Sequence, residues 1–287
     1  MLSGALLLLS VLAISIWGLR LGLDFKGGTL LEVRFSKDAA PDAREVQSLL
    51  EPLGLQSLSV QGTEGNGSII RYLNSDETTN NRVMEQLEKR DAGLTLLRTD
   101  FIGASVSEQM KSSAFWGILF SILGIAGYIA LAFRKVSQPI SSWDYGWGAV
   151  IALAHDIVIT IGAFAVFGHF LDIEVGIPFV AALLTILGYS VNDSIVVYDR
   201  IRENLLRSRA KADFETLVNR SVNETMSRSI NTSMTVMIVL AAIAIFGGES
   251  IRWFAIALLI GVGFGTYSSV FVASALLVTR YAMKHKK

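Results

Sequence analysis

The apolar stretch from Ile177 to Tyr198 constrains this chain most, because it is long enough to cross a membrane and still carries a carboxylate. At about 1.5 Å of rise per residue, about 22 residues reach across a hydrocarbon core of about 30 Å. Asp193 lies in the polar run Gly188–Ser194 inside that stretch. A carboxylate at the centre of a spanning helix costs roughly 2.5–3.5 kcal/mol on insertion scales. We therefore expect Asp193 to serve ion or proton movement, or to be half of a buried pair.

Composition places the whole chain in the membrane class. Of its 287 residues, 52% are hydrophobic and 17% are charged, whereas about 25% are charged in soluble domains. The formal net charge is zero, so the bulk charge does not point to nucleic acid as a partner. The sequence has no cysteine and three histidines, which excludes disulfides and thiolate metal sites. We expect no metal and no cofactor.

Six apolar segments are long enough to be spanning helices, at 2–19, 113–133, 147–168, 177–198, 230–247 and 253–279. The first could instead be a signal peptide, but it lacks a basic start and a clear cleavage site, so we expect a retained span. Lys and Arg concentrate after the second, fourth and sixth spans. By the positive-inside rule those ends are cytoplasmic, both termini lie inside, and the segment after the first span lies outside.

The polar segment 21–112, between the first two spans, has the pattern of a small α+β domain. Leu31, Val33 and Phe35 alternate as in a half-buried strand, and turn residues separate the strands and helices that follow. The order strand, helix, strand, strand, helix, strand predicts a ferredoxin-like fold, with a generic α+β domain as the alternative. It contains no apparent nucleophile–base pair or metal-ligand cluster, so we expect a binding or moving part and no enzymatic activity.

Segment 200–229, between the fourth and fifth spans, mixes basic and apolar residues. This pattern predicts amphipathic helices lying on the cytoplasmic face. Their basic residues could bind anionic lipid or a partner, or could simply set the topology. The predicted divisions of the chain are 1–20 (first span), 21–112 (α+β domain), 113–199 (three spans), 200–229 (amphipathic segment) and 230–287 (last two spans and a basic tail).

Polar side chains recur at helical spacing in the fourth span. Thr185, the pair Gly188 and Tyr189, and the pair Asn192 and Asp193 recur at intervals of three and four positions and therefore share one face. Because lipid cannot satisfy polar groups, that face must meet protein or a wet cavity. Small residues recur every four positions in the sixth span and form a ridge that favours close helix packing. Gly188 in the fourth span is also predicted to be a helix-packing residue. The ridge consists of Gly261, Gly265, Ser269 and Ala273.

Two further spans carry ionisable residues at membrane depth. His155 and Asp156 lie in the third span, and Arg228 lies at the approach to the fifth. A carboxylate that can change its charge, near a cation that stays charged, can form a proton relay. The alternatives are a structural buried pair for Asp193, a local hydrogen bond for Asp156, a helix contact for His155 and a snorkelling interface charge for Arg228.

Several motifs resemble the SecD/SecF family of protein-export membrane proteins. The segment 23–29, which contains Asp24, Gly27 and Gly28, resembles the motif that opens the family's outside domain, and 188–204 resembles the signature of the SecF branch. Shorter resemblances lie at 152–156, 227–233 and 246–248. The chain departs from the family in Lys26, where a smaller polar residue is common, and in lacking a polar lead before the first span.

The resemblance implies half of a resistance-nodulation-division (RND) type transporter that pairs with SecD. In that family the pair works with the SecYEG channel and YajC in the bacterial inner membrane. It uses the proton motive force to assist late, ATP-independent translocation of preproteins. Asp193 matches the family's proton-pathway carboxylate and Arg228 its essential arginine, with Asp156 and Asn192 beside them. Two alternatives stay open: a scaffold that stabilises the translocase, and a proton-coupled exporter of small molecules.

Overall fold

The computed structural model describes residues 2–36, 41–63, 65–73, 76–134, 139–208 and 213–285. The chain divides into two compact units. The sheet domain is Leu21–Ser113, and the helical unit is Met1–Arg20 together with Ala114–Lys287.

A four-stranded antiparallel sheet with two main helices forms the sheet domain. After α1 (Leu2–Trp17), its elements are α2 (Leu23–Lys26), β1 (Gly28–Arg34), α3 (Ala43–Leu50), β2 (Ser59–Thr63), β3 (Gly67–Tyr72), α4 (Glu77–Arg90) and β4 (Thr95–Ile102). The strand order is β2-β3-β1-β4, and every neighbouring pair is antiparallel. This order is that of the ferredoxin-like fold, so the prediction from the alternating pattern is confirmed.

The core of the sheet domain is apolar. Leu31 and Ile70 are register partners on the central strands β1 and β3, and both are fully buried. Leu50 from α3 and Leu87 from α4 cover them. Polar side chains form hydrogen bonds at the ends of its helices. The Asp76 carboxylate accepts a hydrogen bond from the Thr79 N–H at 2.8 Å and caps α4.

Long helices make up the helical unit beside α1. They are α5 (Ala104–Ala132), α6 (Ser142–Leu171), α7 (Ile177–Ser208), α8 (Phe214–Phe246), α9 (Glu249–Ser268), a π-helical turn (Ser269–Ala273) and α10 (Ser274–His285). Five described helical stretches are long and apolar enough to span a membrane, the last running from Ile251 to Lys284. Helix α1 is apolar but has 16 residues, fewer than the about 20 a span needs, so a sixth span stays a prediction.

The prediction of separate surface helices in 200–229 is wrong for the described residues. Helix α7 continues to Ser208 and α8 begins at Phe214, so the charged segment extends two spanning helices; residues 209–212 lie outside the described part of the chain. Most of the apolar residues of this segment, such as Leu205 and Leu217, are instead buried in the core of the helical unit, whereas Leu206 is exposed. Arg200 Nε on α7 donates to Glu224 on α8 at 2.6 Å and joins the two extensions.

Helix α1 packs along α6, and the residues after it contact the α6–α7 connection. Ser10 is buried against Gly162, where a Cβ would overlap it, so the two backbones lie close together. At the end of α1, Trp17 stacks on His169 with ring centroids 4.8 Å apart. Arg20 forms an ion pair with Asp172 in the α6–α7 connection.

Candidate functional site

Asp156 on α6 is fully buried and bound by two hydroxyl groups. Ser190 Oγ on α7 donates to Asp156 Oδ2 at 2.6 Å, and Ser268 Oγ at the end of α9 donates to the same oxygen at 2.7 Å. His155 Nδ1 lies 2.9 Å from Asp156 Oδ1. The carboxylate therefore joins three helices, which satisfies the rule that buried polar groups at membrane depth find partners inside the protein.

Asp193 on α7 is buried in a second hydroxyl-lined position. Ser229 Oγ on α8 donates to Asp193 Oδ1 at 2.6 Å, and Ser269 Oγ donates to Oδ2. Asp193 is 6% exposed. Among the described residues, its hydrogen-bond partners are both neutral hydroxyls, and no ion pair to Asp193 is formed. Carboxylates inside membrane spans usually pair with a charge or serve a transport pathway.

The two carboxylate positions are connected through one helix end. Ser268 and Ser269 are consecutive residues where α9 passes into the π turn, and each donates to a different carboxylate. A third hydroxyl group of the same helix, Thr266 Oγ1, is hydrogen-bonded to Ser233 on α8. Tyr189 Oη on α7 donates to Ser233 Oγ at 3.0 Å. Hydroxyl groups can donate or accept, so this cluster tolerates a change of protonation.

The other predicted pathway residues lie outside this cluster. Arg228 immediately precedes Ser229 on α8 and is exposed, and Asn192 beside Asp193 is also exposed. In the part of the chain that the structure describes, no hydrogen bond joins Arg228 or Asn192 to either carboxylate. Both belong instead to an exposed polar stripe along α7 and α8, which we define as Thr185, Gly188, Asn192, Arg228, Asn231 and Thr235.

The small-residue ridge packs against α7. A Cβ at Gly261 would overlap the Ile186 side chain, and one at Gly265 would lie 3.0 Å from Ser190 Cβ. Ser269, one turn further, contacts Asp193. Glycine at these positions therefore lets α9 approach α7 closely enough for serine hydroxyls to reach the carboxylates. The close packing predicted at Gly188 is not seen among the described residues, none of which has an atom within 4 Å of its would-be Cβ.

The two glycines at the start of the sheet domain have a backbone role. Gly27 has φ +74° and Gly28 has φ +114°, values that side-chain-bearing residues rarely adopt. A Cβ at Gly28 would overlap the Tyr72 carbonyl oxygen. Asp24 lies in the short helix α2, which ends immediately before this pair of glycines. The segment thus makes the sharp passage from α2 into β1.

Sequence reasoning missed Ser190, Ser229 and Ser268 as partners of the carboxylates, and it assigned Ser269 to packing alone. A serine inside a helix commonly bonds the carbonyl of its own preceding turn, so its presence does not indicate a carboxylate partner. Spacing gave a signal for Ser269 alone, because it continues the glycine ridge. Ser190 lies three positions before Asp193, but its partner is Asp156 on α6, which spacing within α7 does not indicate. Among the described residues, no group of three or more His, Cys, Asp or Glu is placed to hold a metal ion.

A ferredoxin-like domain followed by spanning helices that bury two carboxylates defines a multi-pass membrane protein with an intramembrane polar site. Residues 82–283 match the family described as protein export membrane protein SecD/SecF, C-terminal, and residues 14–39 match the SecD/SecF GG motif. The chain belongs to the SecD/SecF family. The resemblance drawn from the short motifs is therefore confirmed.

Individual relatives agree with this family. The protein translocase subunit SecF of Thermobaculum terrenum is 42% identical over 274 residues, which cover 92% of this chain and 85% of that protein. The SecF of Haemophilus influenzae is 37% identical over 278 residues, covering 96% and 81%. The crystal structure of SecDF from Thermus thermophilus superposes with a TM-score of 0.82 at 32% identity and covers 97% of this chain. The chain spans 37% of the length of that SecDF chain.

Proposed function

We propose that this chain is a SecF-type subunit of a protein translocase, and that Asp193 and Asp156 take up and release protons to drive its work. The relatives named as SecF subunits support the first part. The observation that carries the second is Asp193 itself, buried in a spanning helix and held by the hydroxyls of Ser229 and Ser269.

Neutral hydroxyl partners suit a group that changes its charge. A serine hydroxyl donates to a carboxylate and accepts from a carboxylic acid, so neither protonation state of Asp193 leaves a buried partner unsatisfied. A guanidinium held against Asp193 would instead stabilise only the charged form. Moving one charge through the membrane potential is worth about 2.3 kcal/mol per 100 mV, enough to shift a two-state equilibrium.

The exposed polar stripe supports a partner inside the membrane. Its residues lie on spanning helices, where lipid cannot form hydrogen bonds with Asn192, Asn231 or the Arg228 guanidinium. A second helical unit must therefore cover this face. The Thermus thermophilus SecDF chain is much longer than this one, which spans 37% of its length. The name SecDF indicates that the rest of that chain is a SecD-type unit. A SecD subunit is the partner we propose.

The wider assembly is proposed from the resemblance to the family. We infer that the pair assists preproteins passing through SecYEG, in contact with YajC and membrane lipids, and that it catalyses no covalent reaction. The charge pattern of the loops supports a location in the bacterial inner membrane, with both termini cytoplasmic and the sheet domain on the periplasmic side. The basic residues near the ends of α7 and α10 are the ones on which that orientation depends.

The test is export in cells depleted of the native copy and supplied with Asp193→Asn. We expect secretory precursor to accumulate at normal membrane level of the variant, measured by pulse labelling and immunoblot. The matched control is Asp199→Asn on the same helix, because the Asp199 side chain is 65% exposed and its ion-pair partner among the described residues is Arg202. Normal export with Asp193→Asn would favour the scaffold alternative. Failure of a SecD subunit to co-purify with the wild-type chain would contradict the proposed pairing.

A further inference from the structure

The π turn Ser269–Ala273 lies next to both buried carboxylates. It separates α9 from α10 in what would otherwise be one continuous helix. π-helical turns are rare, energetically unfavourable insertions that often occur at functional sites. Two neighbouring residues at its start, Ser268 and Ser269, are fully buried. The position of the turn therefore calls for a reason beyond helix packing.

Each of these serines has two acceptors for its single proton. Ser268 Oγ lies 2.7 Å from Asp156 Oδ2 and 3.2 Å from the Gly265 carbonyl oxygen. Ser269 Oγ contacts Asp193 Oδ2 and lies 3.0 Å from the Thr266 carbonyl oxygen. The competing acceptor is in both cases the backbone carbonyl three residues earlier. A hydroxyl group carries one hydrogen, so the two acceptors cannot both be fully satisfied.

The protonation state of the carboxylate decides which acceptor is used. A charged carboxylate can only accept, and it draws the serine proton towards itself. A protonated carboxylic acid can donate its own proton to the serine oxygen, and the serine proton then turns to the carbonyl of the preceding turn. Protonation at Asp193 or Asp156 thus changes the hydrogen bonding of backbone carbonyls in the last turn of α9, immediately before the π turn.

We propose that Ser268 and Ser269 are positioning residues that transmit the protonation of Asp156 and Asp193 to the π turn, whose conformation changes in response. The proposal rests on the proposed function in one respect, since it requires the carboxylates to change protonation. Because the serines are consecutive, both carboxylates act on the same backbone turn. A helix that alternates between π and α geometry rotates everything beyond it, which here is α10.

Other titratable groups on the packed elements define the surroundings of the pair. His155 on α6 contacts Asp156, and its ring stacks on Tyr267 of α9 with centroids 6.3 Å apart. Tyr189 on α7 donates to Ser233 on α8. Arg228 on α8 is exposed. The test therefore changes the carboxylates directly by substitution instead of by pH, because a change of pH is not confined to the two carboxylates.

The experiment places a probe on the π turn itself. The sequence has no cysteine, so Phe271→Cys gives one attachment site for a fluorine label, and Phe271 is 56% exposed. The full chain with its co-purified partner is reconstituted in nanodiscs, and the fluorine resonance is recorded. We expect Asp193→Asn, in which a neutral amide replaces the carboxylate, to shift the resonance or redistribute its peaks. The same label at Leu123→Cys, exposed on α5, should not respond.

The serine variants show whether the response passes through the hydroxyl group. Ser269→Ala should abolish the difference between Asp193 and Asp193→Asn, and Ser269→Thr, which keeps a hydroxyl, should retain it. The matched control is Ser274→Ala at the start of α10, because the Ser274 hydroxyl donates to the Val270 carbonyl and bonds no carboxylate among the described residues. Ser268→Ala with Asp156→Asn is a second, independent pair if Ser269→Ala does not fold.

Two results would overturn the proposal. One is a resonance at position 271 that does not change with Asp193→Asn or Asp156→Asn in folded protein. The other is a carboxylate-dependent change that persists when the serine hydroxyl is absent. Failure of the two proposals can be distinguished. Defective export with an unresponsive π turn would leave the proton role standing, whereas a responsive turn with normal export would contradict the proposed function alone.

Discussion

The sheet domain and the helical unit place polar and apolar residues in opposite ways. In the sheet domain Leu31, Ile70 and Leu87 are buried, and among its described charged residues only Asp91 is buried. In the helical unit Asp156 and Asp193 are buried, whereas Leu123 and many other apolar side chains are exposed. Water drives apolar groups inward in the first unit, and lipid removes that driving force in the second. Close backbone packing and hydroxyl bonds must therefore hold the helices together.

Deleting apolar volume is expected to have the largest effect in the sheet domain. Leu87→Ala removes a fully buried side chain from its core and should lower the free energy of unfolding of that domain by about 2–5 kcal/mol. Native-state hydrogen exchange on the full chain measures this in β1 and β3. The matched change Leu123→Ala, at a 57% exposed site on α5, should leave exchange in the helical unit almost unchanged. Equal losses at both sites would contradict the comparison.

Backbone conformation gives the next largest effect. Gly28→Ala combines a positive φ with an overlap on the Tyr72 carbonyl oxygen, and we expect about 1–3 kcal/mol of destabilisation of the sheet domain. Gly62→Ala is the control, since it lies on β2 in the same sheet and a Cβ there has no atom within 4 Å. The measurement is again hydrogen exchange. A tolerated Gly28→Ala would show that the β1–β3 pairing adjusts more easily than the geometry indicates.

The helical unit should be sensitive to added volume. Gly261→Ala places a methyl group on Ile186 and should destabilise the unit by about 1–3 kcal/mol, seen as a lower detergent concentration at the midpoint of SDS unfolding. Gly188→Ala faces open space within this chain and should stabilise by up to about 1 kcal/mol through helix propensity. Adding Ile186→Ala should restore part of the loss in Gly261→Ala. If it does not, close α7–α9 packing is not the cause.

The smallest effect concerns a polar group of the sheet domain. The backbone N–H of Ser36, at 2.6 Å, together with that of Gly93, holds the pKa of Asp91 below its usual value. A lowered folded-state pKa gives stability that is complete above the unfolded pKa of about 3.9 and is lost as the pH falls through the folded value. Asp91→Asn should therefore flatten the acid limb of the stability profile.

The control for Asp91 keeps the main donor. Ser36→Ala removes the hydroxyl that donates to Asp91 at 3.0 Å but retains the backbone N–H. Most of the pH dependence should persist in Ser36→Ala. An acid limb that is equally flat in both variants would place the effect in the hydroxyl instead.

Periodicity predicted the sheet domain well because its core follows alternation. Leu31, Val33 and Phe35 are all buried, as the period of two required. Spanning helices were predictable from length and hydropathy alone. Their ends were not, because the charged residues 199–208 suggested an interface while Leu205 and Ile201 continue the buried stripe of α7.

The site was only half predictable for a related reason. Aspartate is rare inside apolar spans, so Asp156 and Asp193 could be selected from the sequence. Its serine partners could not, because their rotamers choose between a carboxylate and a backbone carbonyl. The π turn has no residue type that marks it, and the exposed orientation of Arg228 depends on how α8 is rotated in the folded chain.

The attachment of α1 has a consequence for the order of events during synthesis. Arg20 and its partner Asp172 are 152 positions apart in the chain, and Ser10 rests on Gly162 over a similar distance. The first helix therefore leaves the ribosome long before the surface that will hold it exists. Until α6 has entered the bilayer, a 16-residue helix must persist alone or beside other proteins, such as those of the insertion machinery. The packing of α1 against α6 is therefore a late step in the maturation of this protein.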